Sequence, residues 1–452
     1  MKKNEEIFEE AVQYEEKGER QESTEQAREY YEKAGEMYSR AHELDESDID
    51  SLYNWARVLF LLMDYVPEHA EAEERLNLLD KSISRFRKVL EMQTNNADAL
   101  FNLAQGLTVR ADLVEDVDGI TDAHGEAAQA LQEAVSLYES AYELQEKLHQ
   151  QQTHGGSSSA SAKPIAIAKA PVTAFTLIET LTSLVDATRS LGEMLDEFED
   201  VQLLYKAALS KISLAYGILA ENTESEEDTP AIIQLYQSHA NLLAALADRT
   251  FTDTRELDEK SYKIAIETLA KAISLDQDNV EAHCDLGDLY GGYAQAKMRL
   301  CSDQNMVSQE EKLLWGYYTE ATRCFQTALD YQPDNITTLF KLGDIHFTRA
   351  QLPFAIARKQ KTQLLKSAEY WYKHAVDLET SDLEGGWVPW AMSAWAIAKW
   401  TTDHMEKLTE AENILKLWVE QGGSLDLLKE VGRNNILMPD EFITWASDIL
   451  LQ

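Results

Sequence analysis

Residues 321–343 read ATRCFQTALDYQPDNITTLFKLG, and the rest of the chain can be set in register with them. Ala321, Phe325, Ala328, Leu329 and Tyr331 share one face of a helix, following its 3.6-residue period. Pro333, Asp334 and Asn335 then supply turn chemistry and a helix start. Thr338, Leu339, Leu342 and Gly343 open the next helix. Gly343, lacking a side chain, lets a neighbouring helix approach closely.

The small–large–small face recurs. It stands at Ala34/Tyr38/Ala41, Ser82/Phe86/Val89, Ala134/Tyr138/Ala141, Ala208/Ile212/Ala215, Ala265/Leu269/Ala272 and Ala368/Tyr372/Ala375. The pair that ends the quoted stretch, Leu342-Gly343, recurs as Trp55-Ala56, Leu103-Ala104 and Leu286-Gly287. Any Ala-rich amphipathic helix produces one such triplet by chance, but a series of seven in order requires a repeated unit. The order of small residue, aromatic, small residue, proline turn and L-G pair resembles the tetratricopeptide repeat, a helix–turn–helix unit of about 34 residues. The resemblance implies an all-α, right-handed solenoid of about eight helical hairpins with a C-terminal capping helix. Successive triplets here lie 47 to 74 residues apart. Helices longer than the family's, or enlarged loops, are therefore expected.

Composition suits this class. Of 452 residues, 44% are hydrophobic, and only 8 are proline and 19 glycine, which fits long helices and a large core. Cys284, Cys301 and Cys324 have neither paired nor metal-ligand spacing; this fits a reducing compartment, with Cys284 and Cys324 as small core residues. The opening MKKNEEIFEEAVQ has no apolar core of the kind a secretory signal needs. No run of about 18 apolar residues is evident, so no membrane span is expected. A cytoplasmic or nuclear protein is expected, without a basic cluster that would mark nuclear import.

Net charge is −39, from 80 acidic against 41 basic residues, and residues 1–150 alone hold 35 acidic and 15 basic. Two readings stand: solvated, Glu-rich helix faces that serve solubility, or attraction of a basic protein partner. Nucleic acid is not an expected ligand, because phosphate binding needs Lys/Arg stripes that this chain lacks.

The organisation read along the chain is an acidic set of hairpins over 1–153, a Gly/Ser/Ala linker or inserted loop at 154–171, and further hairpins over 172–452. The linker carries Lys163 and Lys169 and no acid. Asp116, Asp118 and Asp122 lie in an acidic loop without EF-hand spacing. ENTESEEDTP at 221–230 places Ser225 among acids, like an acidophilic phosphorylation site. Near the end, Trp387, Trp390, Trp395, Trp400, Trp418 and Trp445 are expected to pack a cap over the last repeat, with 437–452 as a closing helix.

No motif for chemistry emerges. The histidines form no H-x-x-x-H, and phosphate-cradling glycine motifs and a G-x-S-x-G elbow are absent. No enzyme, cofactor or metal is therefore expected, and the chain reads as a protein-binding scaffold.

The resemblance also points to a groove. Tetratricopeptide co-chaperones bind chaperone C-terminal carboxylates with Lys and Arg four apart on one inner helix, plus Asn on others. The positions preceding the L-G pairs here are Asn54, Asn102, Asp285 and Lys341, and four residues earlier stand Asp50, Asp98, Glu281 and Thr337. Asn54 fits the co-chaperone pattern, but Asp98 and Asn102 occupy the basic pair's places, so a carboxylate clamp is not supported. Asp50, Asn54, Asp98, Asn102, Glu281, Asp285 and Lys341 are instead the candidate groove for a basic or extended segment. This favours an escort or assembly chaperone for a basic protein. LGDIHFTRAQLP, LLKSAEYWYKHAVDL, LTEAENILKLW and DILLQ also resemble a fungal acidic helical-repeat family. That family enhances translation termination and restrains a prolyl-hydroxylase-type dioxygenase. The alternative it implies is a regulatory subunit of a termination factor or of such a dioxygenase.

Overall fold

Eighteen α-helices, with no strand among the described residues, make up the computed structural model. It describes residues 2–21, 24–66, 72–115, 117, 120–154, 171–222, 228–301, 308–383, 385–401, 404–435 and 437–451. Most of the linker read at 154–171, together with Asp116, Asp118 and Ser225, lies outside those residues.

The helices form antiparallel pairs in sequence order. Helix α1 (Lys2–Glu19) pairs with α2 (Thr24–Leu44), α3 (Ile49–Met63) with α4 (Ala72–Met92), α5 (Ala97–Glu115) with α6 (Ala123–His154), and α7 (Ala174–Glu193) with α8 (Phe198–Glu221). Helices α9 (Thr229–Thr254) and α10 (Glu259–Leu275) are tied by a hydrogen bond from the Tyr262 hydroxyl to Asp248. Then α11 (Val280–Cys301) pairs with α12 (Ser308–Tyr331), α13 (Ile336–Gln351) with α14 (Ala355–Leu378), and α15 (Trp387–Trp400) with α16 (His404–Glu420). Helices α17 (Leu425–Asn434) and α18 (Asp440–Leu450) follow as the cap. The chain divides into two compact units, Met1–Ala245 and Leu246–Gln452.

The seven triplets are the seams of these pairs. All of their residues are at most 2% exposed, on α2, α4, α6, α8, α10, α12 and α14. Each large member removes a whole side chain from water, which stabilises by about 1.5–3 kcal/mol. The turns carry the expected start signals. Asp48 accepts a hydrogen bond from the Ser51 amide (3.2 Å), Asn96 from Ala99 (3.1 Å), and Asn335 from Thr338 (2.9 Å). Each side chain satisfies an amide that the first helical turn leaves unpaired. The wide triplet spacing arises partly from helix length: α6 has 32 residues and α9 has 26.

Tryptophans pack the C-terminal end as expected. Trp387, Trp395 and Trp418 are buried, and Phe442 of α18 meets Trp395 edge-on at 5.6 Å. The Trp418 indole donates to the Leu383 carbonyl (2.9 Å) and Trp387 to that of Thr380 (3.1 Å). Trp400 departs from this pattern, being 48% exposed.

One helix bears on the membrane expectation, and one cysteine expectation needs correction. Helix α8 is long and apolar enough, by length and composition, to cross a membrane. Lys206 and Lys211 interrupt its apolar residues, so it holds no unbroken run of about 18. One of its faces is buried within the first unit through Val201, Tyr205, Ala208, Ile212, Ala215 and Leu219. The correction concerns Cys284, which is only partly buried, with its sulfur 3.1 Å from the Thr338 hydroxyl; Cys324 is a core residue as read.

Candidate partner-binding groove

In the first unit, one of the candidate residues, Asn102, links α5 to α3: its side-chain amide donates to the Tyr53 hydroxyl at 2.8 Å. Burial raises the Tyr53 pKa to about 12, and the nearby Asp98 carboxylate adds to the rise. Asp50 and Asp98 are exposed. Asn54 donates back to the Asp50 carbonyl (2.9 Å), and its side-chain oxygen lies 3.4 Å from the Arg57 guanidinium. Arg57 also pairs with Glu15 of α1, a buried carboxylate that takes the Tyr38 hydroxyl at 2.8 Å. This face therefore carries an arginine, Arg57, that the sequence reading did not count.

In the second unit, α11 and α13 are siblings and their charged positions mesh. Lys341 of α13 forms an ion pair with Asp288 of α11. Burial acts to lower the Lys341 pKa, but attraction to Asp288, helped by Cys284 and Asp285, more than offsets it and the pKa stands above the ordinary lysine value. Half of the Asp288 side chain is exposed, yet partial desolvation by the surrounding helices still raises its pKa, and Lys341 offsets only part of that rise. One helical turn beyond Lys341, Asp344 accepts the Tyr372 hydroxyl at 2.6 Å. Burial raises the Asp344 pKa to about 6 against that hydrogen bond, and the Asp288 charge adds to it.

These residues border a cavity of about 500 Å³ between α11, α12, α13 and α17. Asp288, Lys341, Asp344 and Glu430 supply its charges, while Phe325, Ile345, Val431 and Leu437 supply apolar wall. Of the candidates read from sequence, Lys341 lines this cavity, whereas Glu281 and Asp285 stand on α11 outside its lining. Sequence reasoning missed Asp288, Asp344 and Glu430. Asp288 and Asp344 do have a signal: each directly follows an L-G pair, three residues past the positions read, on the same helix face. Glu430 has none, because the cap that brings it there is not a repeat.

The two glycines of the L-G pairs have a steric role. A Cβ at Gly287 would stand 2.6 Å from the Phe325 ring, and one at Gly343 would stand 2.4 Å from the Tyr372 ring. Only a bare backbone admits these rings, and the close approach places Tyr372 within reach of Asp344.

Comparison with known proteins agrees with this architecture. A family described as TPR repeat matches residues 255–292, which hold the Ala265/Leu269/Ala272 triplet and the Leu286-Gly287 pair. No curated protein matches the chain. Among solved structures, the nuclear import adaptor Nro1 of S. pombe is 13% identical with a TM-score of 0.41, the match covering 75% of this chain and all of that one. YrrB, a TPR protein with an unusual peptide-binding site, is 17% identical with a TM-score of 0.29, covering 67% of this chain and 95% of that one. The STAND protein PH0952 from Pyrococcus horikoshii, with a tetratricopeptide repeat sensor, is 13% identical with a TM-score of 0.37, covering 96% of this chain and 53% of that one. At such scores these likenesses carry no functional argument. The chain is an all-α protein of extended helical hairpins that carries a match to the TPR repeat over α10 and the first half of α11.

Proposed function

We propose that this protein is a non-enzymatic adaptor that escorts a basic protein partner, held on acidic inner helix faces. The observation that carries the reading is the charge of the second unit's cavity. Three carboxylates, Asp288, Asp344 and Glu430, border it against one cation, Lys341. The net charge of −39 supports it, because a strongly negative surface draws cationic partners and speeds encounter. Shape and apolar contact within the cavity then provide selectivity.

The test is capture from native extract on the tagged protein, followed by washes at about 0.1 M and about 0.5 M salt. The screening length shrinks from about 10 Å at 0.1 M towards about 3 Å at 1 M, so a partner held by charge leaves in the second wash. A basic protein that elutes there, and rebinds the purified chain at low salt, is the expected result. A near-neutral enzyme or translation factor that stays bound at high salt overturns this reading in favour of a regulatory subunit.

A further inference from the structure

We propose that the cavity between α11, α13 and α17 receives one long cationic side chain, arginine or lysine, from an extended partner segment, with the Asp344 and Glu430 carboxylates as its acceptors. This rests on the adaptor reading and locates where recognition is decided.

Charge bookkeeping within the cavity selects the occupant. Lys341 is already paired with Asp288. Asp344 and Glu430 have no cationic partner among the described residues. On Asp344, the Tyr372 hydroxyl takes Oδ1, and no donor among the described residues reaches Oδ2. A partner cation therefore finds acceptors that the fold leaves unpaired, whereas Lys341 repels a second cation at Asp288.

The wall chemistry selects a long side chain over a small ion. Phe325, Ile345, Val431 and Leu437 border the same space as the carboxylates. Lysine and arginine suit such a site, since their methylene stems cover apolar surface while the head keeps polar contacts. At about 500 Å³ the cavity falls in the range of ordinary binding clefts. Gly291 and Gly292 leave part of α11 bare: a Cβ at Gly291 would meet only Ile345 at 3.5 Å, and one at Gly292 only Asp248 at 3.9 Å. A partner backbone can thus lie close to α11 as its side chain enters.

The site also responds to pH. The groups that face Asp344 are Tyr372 from α14, Asp288 from α11, Lys341 on its own helix, and Glu430 from α17 across the cavity. Burial keeps the Asp344 carboxyl at about 6, so it is ionised and attractive at pH 8 and largely neutral near pH 5. Entry of a cation favours the ionised form, so affinity falls as pH drops through this range.

The probe is a set of labelled, acetylated nonapeptides of Gly, Ser and Leu that differ only in a central Arg, Lys or Gln. Their binding to the full-length protein is measured by fluorescence anisotropy at low salt, at pH 8 and pH 5. The Arg or Lys peptide should bind at least about tenfold tighter than the Gln peptide at pH 8, the scale of a charge-assisted hydrogen bond, and lose that advantage at pH 5. Asp344→Asn should abolish the difference and its pH dependence. An asparagine still accepts the Tyr372 hydroxyl, so the fold is retained. Exposed Glu430→Gln serves as a second variant, expected to weaken the cationic peptides in part. Equal binding of the Arg, Lys and Gln peptides, or Asp344→Asn binding like the parent, overturns the proposal. If Asp344→Asn still captures a salt-released basic protein as the parent does, this cavity is excluded and the adaptor reading stands. If the parent captures no such protein, the adaptor reading itself fails.

Discussion

A single hydrogen atom in place of a methyl group decides the packing at Gly343. Alanine in a helix interior normally stabilises by about 1 kcal/mol relative to glycine. At Gly343 the methyl would overlap the ring of Tyr372, which is 1% exposed and anchored through its hydroxyl to Asp344, so the ring has little room to withdraw. Overpacking of this kind costs about 1–3 kcal/mol and outweighs the propensity gain. Gly217 on the exposed side of α8 is the control, since a Cβ there meets nothing within 4 Å. Gly343→Ala is expected to lower the urea midpoint and Gly217→Ala to raise it slightly. Equal, stabilising shifts for the two would show that the Tyr372 ring does not pack against the α13 backbone. Gly343 was legible in the sequence, because an L-G pair at a fixed place in a repeat has a steric meaning. Asp344 beside it was not, since its role depends on a tyrosine 28 residues away and on a cavity closed by the cap.

At the scale of one element, α13 carries two groups whose titrations act on stability in opposite directions. His346 is 8% exposed, and its Nδ1 has no hydrogen-bond partner among the described residues. Burial, with the Arg349 charge adding, lowers its pKa to about 4 from 6.5. Between those values the unfolded chain binds the proton and the fold does not, so His346 takes stability away as pH falls from 6.5 towards 4. Asp344 is raised to about 6 from 3.8, so the fold binds the proton first and gains stability over nearly the same range. Each shift corresponds to about 3 kcal/mol, and the two nearly cancel. Replacing one unmasks the other. Asp344→Asn should be more stable than the parent at pH 7 and lose that advantage by pH 4, whereas His346→Gln should gain relative to the parent as pH falls. Unfolding curves at pH 7, 5.5 and 4 check both, and parallel pH profiles for the three proteins would sink the account. The sequence revealed this element's existence and start through Asn335 and the Leu342-Gly343 pair. Helix lengths were less legible: α14 begins at Ala355, thirteen residues before the Ala368 that opens its triplet, because apolar spacing marks the buried middle of a helix and not its solvated ends. Helix α17 lay further out of reach, since its ten residues belong to no repeat and its place against α11 and α13 is a long-range packing outcome.

For the whole chain, electrostatics sets a sign that local contacts cannot reverse. Ion pairs are numerous, but many join exposed partners one helical turn apart, such as Arg20–Glu16 and Lys416–Glu412. Pairs of this kind contribute about 0–1 kcal/mol, and salt weakens them. Against them stands a surplus of 39 negative charges, whose mutual repulsion favours expansion. Shortening the screening length weakens both effects, but the surplus involves many more interactions than the scattered pairs. Sodium chloride raised from about 0.02 M to about 0.5 M should therefore raise the thermal midpoint, by ~2–4 °C for each kcal/mol of repulsion relieved in domains of this size. The same change should weaken capture of a basic partner, so stability and affinity move in opposite directions with salt. A protein held together mainly by surface ion pairs would instead melt earlier in high salt. Scanning calorimetry across the salt series decides between them: a falling midpoint would mean that the ion pairs dominate and that the acidic excess is too well solvated to attract a partner.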